Sequence, residues 1–132
     1  IHGLRLAPGK PTILGRALGK PVIGLPGHPV SCAVVVDRVV RPLLRRLAGE
    51  GTWLHGATRM VTMAENVSAK PGREEYVRVR LEEKDGEWLA YPVRGPSGAV
   101  ATLAKADGVV LIPLEIEGVA AGTKVAFFDL AK

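Results

Sequence analysis

The stretch "PVIGLPGHPVSCAVVVDRVV", residues 21–40, decides how the first part of this chain folds. Pro21–Leu25 is a short apolar run and reads as a buried strand. The Gly/Pro turn that follows opens into a helix predicted to start at Pro29, because the first helical position has no use for a backbone N–H. Val36, Val39, Val40, Leu43, Leu44 and Leu47 recur at three- and four-residue steps, predicting one apolar face. Arg38, Arg41 and Arg45 fall largely away from that face. Pro42 lies inside the pattern at a cost of about 3 kcal/mol and strips the Arg38 carbonyl of its partner, which predicts a bend or a solvent-facing carbonyl. Gly49 is the expected stop.

Working outward, "LRLAPGKP" (4–11) reads as an extended segment that enters a second tight turn. Downstream of residue 56 the helical period disappears. "YVRVRL" (76–81) alternates, with Val77, Val79 and Leu81 on one side and Arg78 and Arg80 on the other. Asp85-Gly86 separates this run from "EWLAYPV" and signals a hairpin. "GVVLIP" (108–113), "KVAFFDL" (124–130) and residues 59–65 supply further strands. A small closed or partly closed β-barrel is the economical way to bury about five or six short strands without leaving edges. The expected division is an α/β piece over 1–48, a linker over 49–56 and an all-β domain over 57–132. Two strands and one helix cannot cover both faces of a parallel sheet. Together with Ile1 in place of Met, this predicts a piece of a longer polypeptide.

The 132 residues carry a net charge of +5, unevenly placed. Residues 1–50 hold eight Lys/Arg against two Asp/Glu, and residues 51–132 hold ten against eleven. The first part is thus suited to an anionic partner, although solubility alone explains such a balance. Aromatics make up only 5% and are not interleaved with the basic residues, which argues against nucleic acid. No apolar stretch reaches the roughly 18 residues of a membrane span, and no signal-peptide core is present. Cys32 is the only cysteine, which fits a reducing cytoplasm. His2, His28 and His55 fit no metal-ligand spacing. Cys32, Trp53 and Trp88 read as packing residues.

A strand, a Gly-rich turn and a helix start together make an anion site, because the first helical N–H groups lack partners and the dipole is positive there. Gly24 and Gly27 would let a ligand approach the backbone. Ser31, in the first helical turn, could meet an oxyanion or merely satisfy that turn. Lys10, held between Gly9 and Pro11, is placed as a lysine that meets a phosphate or oxyanion would be, but composition alone favours a solvated turn lysine. For the strand–turn–helix itself, cradle and structural corner stand level.

The order of "PGKP", "GLPGHPVS", "RPLLRRLAG", "GREEYVRVRL", "GPSGAVATLAKADGVVLIP" and "GVAAGTKVAFFDL" resembles the molybdopterin molybdotransferase family, to which bacterial MoeA and the E domain of gephyrin belong. The resemblance covers essentially the whole chain and is most specific at GLPG-x-P-V-S. It implies the C-terminal part of an α/β molybdopterin-binding domain followed by a β-barrel domain. It further implies insertion of molybdate into adenylylated molybdopterin with release of AMP, aided by a divalent cation such as Mg2+ whose ligands lie upstream. The resemblance also brings in a cytoplasmic enzyme and a homodimer when full length.

Such a reaction brings a molybdate dianion beside a phosphorylated pterin, so fixed positive charge and aimed N–H donors matter most. By resemblance, Lys10, Ser31 and Arg73 carry the chemistry, and Gly9, Pro11, Gly27, His28 and Ser97 contribute to substrate binding. Thr102 takes the place of Ser97 under a shifted alignment. From its neighbours alone, Arg73 beside Glu74 and Glu75 also reads as a plain ion pair. Two departures from the family pattern stand out: Ala7 replaces a common lysine, and His28 replaces a common asparagine. Against the enzyme stands a module of another class, a barrel that binds proteins or dimerises without catalysis.

Overall fold

In the computed structural model, residues 1–51, 56–96 and 98–130 are described. The elements in chain order are β1 (Leu6–Ala7), β2 (Ile13–Ala17), β3 (Lys20–Gly24), α1 (Pro29–Val35), a π-helical turn (Val36–Val40) and α2 (Arg41–Leu47). They are followed by β4 (Arg59–Met63), β5 (Val67–Ser68), β6 (Glu74–Lys84), β7 (Glu87–Pro92), α3 (Val100–Ala104), β8 (Gly108–Ile112), β9 (Gly118–Val119) and β10 (Lys124–Asp129). Strands β6, β7, β4, β10 and β8 are joined in that order, and β8 returns to β6. The result is a closed, mixed five-stranded barrel with no free edge around its circuit, preceded by a short α/β fragment.

The barrel forms where the sequence alternates. On β6, Val79 is fully buried, and Val77 and Leu81 pack against the same cluster of Val61, Met63, Ala90, Val110, Val125 and Phe127. Asp85 and Gly86 both take positive φ, 52° and 78°, in the two-residue turn that pairs Lys84 with Glu87. This is the geometry whose twist suits a hairpin. The β5–β9 pair is two residues a side, too short to leave a period in the sequence. Helix α3 is likewise a single short turn that the sequence did not announce.

The fragment departs from expectation in three ways. Strand β3 exists, but Pro21 and Val22 are exposed, and it pairs only with β2 through a tight turn at Leu18 and Gly19 (φ 50° and 77°). The run expected to be buried is a two-stranded ribbon with nothing covering its face among the described residues.

The helix starts at Pro29 as expected, but its buried side is Val30, Ser31, Val34, Val35, Asp37 and Pro42. Leu44 and Leu47, placed on the apolar face by periodicity, are 59% and 62% exposed. Valines occupy nearly every side of this stretch, so no single period is unique, and the barrel chose the other face. Arg38, expected to point away, lies over the Phe128 ring at 4.2 Å and the Tyr76 ring at 5.5 Å.

The third departure concerns Pro42. In place of a bend, the chain forms a π turn in which the Arg41 N–H reaches the Val36 carbonyl, and α2 restarts with Pro42 in its first turn. A missing donor costs nothing there. The stop is as expected: Gly49 has φ 86°, its N–H reaches Arg46 O (3.2 Å), and Glu50 N–H reaches Arg45 O (3.0 Å). That double bond pattern is the Schellman cap.

A second core cluster joins the two parts: Leu6, Val34 and Val35 meet Tyr76, Val109 and Phe128. Strand β1 also pairs in parallel with the start of β6, Leu6 opposite Glu74 and Ala7 opposite Glu75. Trp88, read as a packing residue, is 37% exposed under Arg59, whose guanidinium carbon lies 5.0 Å from the ring centre. Cys32 is only partly buried, and Trp53 and His55 lie outside the described residues.

Candidate functional site

The PGKP turn is tied down by its backbone. Gly3 N–H donates to Thr12 O (2.9 Å), Leu4 N–H to Lys10 O (2.9 Å), and Thr12 N–H to Gly9 O (3.2 Å). The Thr12 hydroxyl, wholly buried, donates to the same Gly9 carbonyl at 2.7 Å. Gly9 has φ 133°, and a Cβ there would come within 2.8 Å of Val35 Cγ2 and closer still to the Leu6 side chain. The turn therefore lies against the end of α1, and Lys10 is left exposed on a fixed backbone. No ion-pair partner of Lys10 is present among the described residues.

Across the turn, the β1–β6 register sets Ala7 beside Glu75 and so brings the "GREE" segment to the same edge. Glu74 N–H donates to Arg5 O (2.8 Å) and Gly72 N–H to Leu114 O (2.8 Å), pinning that segment on both flanks. Arg73 donates through Nε (3.0 Å) and Nη2 (2.7 Å) to Glu75 Oε1. The ion-pair reading of Arg73 is thus realised in its geometry, and the arginine keeps a third of its side chain in solvent.

At the helix start, His28 sits in the cap position with extended backbone (φ −77°, ψ 127°) and makes no side-chain cap. Gly27 and His28 are exposed, and a Cβ on Gly27 would meet nothing within 4 Å. Gly24 differs: its Cβ would stand 3.2 Å from Ile13 Cβ, so strand packing rather than a ligand uses that glycine. Ser31 is 4% exposed and has no side-chain hydrogen bond among the described residues. A Cβ on Gly98 would lie 3.7 Å from His28 Cδ2, so the loop that follows "GPS" reaches the cap. Ser97 itself lies outside the described residues.

Thr102, the alternative to Ser97, is engaged elsewhere. Its hydroxyl donates to Ala99 O (2.6 Å) and accepts from Arg78 Nη1 (2.7 Å), while Arg78 Nη2 holds Gly95 O (2.7 Å). Burial lowers the Arg78 pKa from its usual value without discharging it. Sequence reading missed Thr12, Glu75 and Arg78 as organisers. A hydroxyl directly after a Pro-Gly-Lys-Pro turn was a usable signal for the first.

Lys10, Ser31 and Arg73 line none of three concavities of about 230, 320 and 440 Å³, which lie along the helix and at the barrel rim. Lys10, Gly27 and His28 are exposed, Arg73 is half-buried, and Gly9 and Ser31 are buried. Among the described residues no three His, Cys, Asp or Glu side chains converge. No helix of the described residues is long and apolar enough to cross a membrane.

The chain thus sets a small closed barrel behind a turn-and-helix edge that carries the exposed Lys10. Residues 60–130 match the family described as the MoeA C-terminal region (domain IV), and residues 1–46 match a probable molybdopterin binding domain. The chain belongs to the MoeA family. It is 32% identical over 127 residues to molybdopterin molybdenumtransferase 2 of Mycobacterium tuberculosis, covering 95% of this chain and 30% of that protein. With molybdopterin molybdenumtransferase 1 of the same organism the identity is 35% over 127 residues, covering 90% and 29%. The crystal structure of the molybdopterin biosynthesis MoeA protein from Pyrococcus horikosii superposes with a TM-score of 0.81 at 36% identity, covering 99% of this chain and 32% of that one. The chain thus spans about 30% of the length of the curated relatives it matches.

Proposed function

We propose that this chain is the C-terminal part of a transferase that inserts molybdate into adenylylated molybdopterin and releases AMP. The observation that carries the reading is the pair of family matches, in order, over 1–46 and 60–130. We read residues 1–48 as the end of the molybdopterin-binding domain, 49–56 as a linker and 57–132 as the barrel domain. Lys10 supplies fixed charge from a braced turn, Ser31 and the first N–H groups of the helix supply donors, and Arg73 approaches from the barrel side. Gly9, Pro11, Gly27, His28 and Ser97 shape the surface around them. We read these residues as one wall of a cleft whose other wall, with the ligands of a Mg2+ ion, comes from upstream residues or a second subunit. Cytoplasmic location and a full-length homodimer complete the proposal.

With a dianionic substrate, each fixed cation favours binding, and one well-placed charged hydrogen bond is worth about 1.5–3 kcal/mol. Lys10→Ala in the full-length protein is therefore expected to weaken molybdate binding at least about tenfold, read by isothermal titration, with melting temperature unchanged. Unaltered molybdate affinity in that variant would remove Lys10 from the site. Failure of the wild-type protein to bind molybdate at all would overturn the reading.

A further inference from the structure

We propose that Glu75 is a positioning residue that holds the Arg73 guanidinium in place for anion binding; this rests on the reading of Arg73 as an anion contact. Three donors converge on a single oxygen, Glu75 Oε1: Arg73 Nε at 3.0 Å, Arg73 Nη2 at 2.7 Å and the Lys70 backbone N–H at 3.1 Å. An ordinary exposed ion pair joins two mobile side chains and contributes little. This one differs, because the same oxygen also closes the backbone of the 70–75 turn, and the Glu75 side chain is only 17% exposed.

The turn is itself immobilised by the Gly72–Leu114 and Glu74–Arg5 backbone bonds. Glu75 stands opposite Ala7 in the β1–β6 register, so its location relative to the PGKP turn is set by sheet pairing and not by side-chain rotamers. Arg73 makes no hydrogen bond through Nη1 among the described residues, so one nitrogen of the fork is left for a ligand. A long, solvated arginine loses rotamer freedom on binding, and a carboxylate that fixes its Nε and Nη2 beforehand removes part of that loss.

The positioning role makes a prediction of unusual sign. A carboxylate beside an anion site repels the anion, so a purely electrostatic account has Glu75→Ala binding molybdate more tightly. Positioning has it binding more weakly, by about three- to tenfold. Glu75→Gln, which keeps an acceptor oxygen of the same reach, is expected to fall between the wild type and Glu75→Ala. Glu75→Ala placed on Arg73→Ala is expected to add no further loss, since its effect runs through the arginine.

The experiment is titration of molybdate into the full-length wild type, the three single variants and the double variant, with Arg73 Nε–H protection followed by NMR. Slow exchange of that proton in the wild type, intermediate exchange in Glu75→Gln and fast exchange in Glu75→Ala support the role, and where Glu75→Ala folds poorly the folded Glu75→Gln carries the test. Unchanged or tighter molybdate binding in Glu75→Ala, or a loss that adds to that of Arg73→Ala, overturns it. A wild type that binds no molybdate overturns the transferase reading and the role together, whereas an additive cycle on a binding wild type overturns the role alone.

Discussion

Tyr76 shows how one side chain records its surroundings. It is 6% exposed, lies under Arg38 and donates its hydroxyl to Glu74 Oε2 at 2.8 Å. Burial first, and then the hydrogen bond to Glu74, push its pKa up to about 12 from the ordinary 10. The folded state therefore holds the phenol proton more tightly than the unfolded chain does. Its contribution is fully present below pH 10 and is lost as pH rises from about 10 through about 12, worth on the order of 2 kcal/mol. Urea unfolding at pH 8, 10 and 11.5 should show the wild type losing stability over that range more steeply than Tyr76→Phe. Equal slopes would dissociate Tyr76 from the alkaline transition.

Arg38 is the second residue whose environment reverses a simple expectation. Its guanidinium stacks on Phe128, and its Nη1 is buried with no hydrogen-bond partner among the described residues. The aliphatic stem and the flat head pack well, but the donor is left over. Arg38→Met keeps the stem and removes the donor, so denaturant unfolding should give a stability unchanged or raised by about 1 kcal/mol. A loss larger than about 2 kcal/mol would mean that the charge itself supports the fold.

Among the elements, the strength of the sequence signal tracks how unique each pattern is. Asp85-Gly86 between alternating runs leaves one solution, and the hairpin forms there. Pro29 and Gly49 bound the helix from opposite chemical needs, a missing donor at one end and a left-handed residue at the other. Between them, six valines and three leucines fit several helical faces, so burial was decided by the barrel and not by local period. The π turn was equally illegible, because its signal is Pro42 alone, which a kink would satisfy as well. The two-residue strands β5 and β9 exist only through their pairing. Of the candidate site, residue types and turns were legible. The Arg73–Glu75 pair was legible from its two-residue spacing, but its placement beside the PGKP turn was not, since that depends on a parallel register between residues about 68 positions apart.

At the scale of the molecule, apolar exposure is concentrated in the fragment. Leu44 and Leu47 on α2, and Ile13, Val22 and Leu25 around the ribbon, are each more than two-fifths exposed. Apolar surface gathered on one part of a molecule marks contacts that are made elsewhere. The 132-residue chain studied by itself is expected to self-associate, and Leu44→Gln with Leu47→Gln to reduce that association with stability within about 0.5 kcal/mol. Light scattering and urea unfolding of the pair test both halves of the statement. A chain monodisperse at high concentration would contradict it.

The register of β1 on β6 has one more consequence. From Val79 onward β6 is flanked by β7, but at Glu74 and Glu75 that side of the strand is occupied by Leu6 and Ala7. A gene cut between the two family matches, at the point where domain surgery would normally be attempted, strips this cover from the barrel. The severed barrel would present bare main-chain donors and acceptors, a docking strip for the next copy of itself. Two modules that read as separable in sequence are thus stitched by a dipeptide beside their shared apolar cluster, and any chimera exchanging one must bring its own stitch.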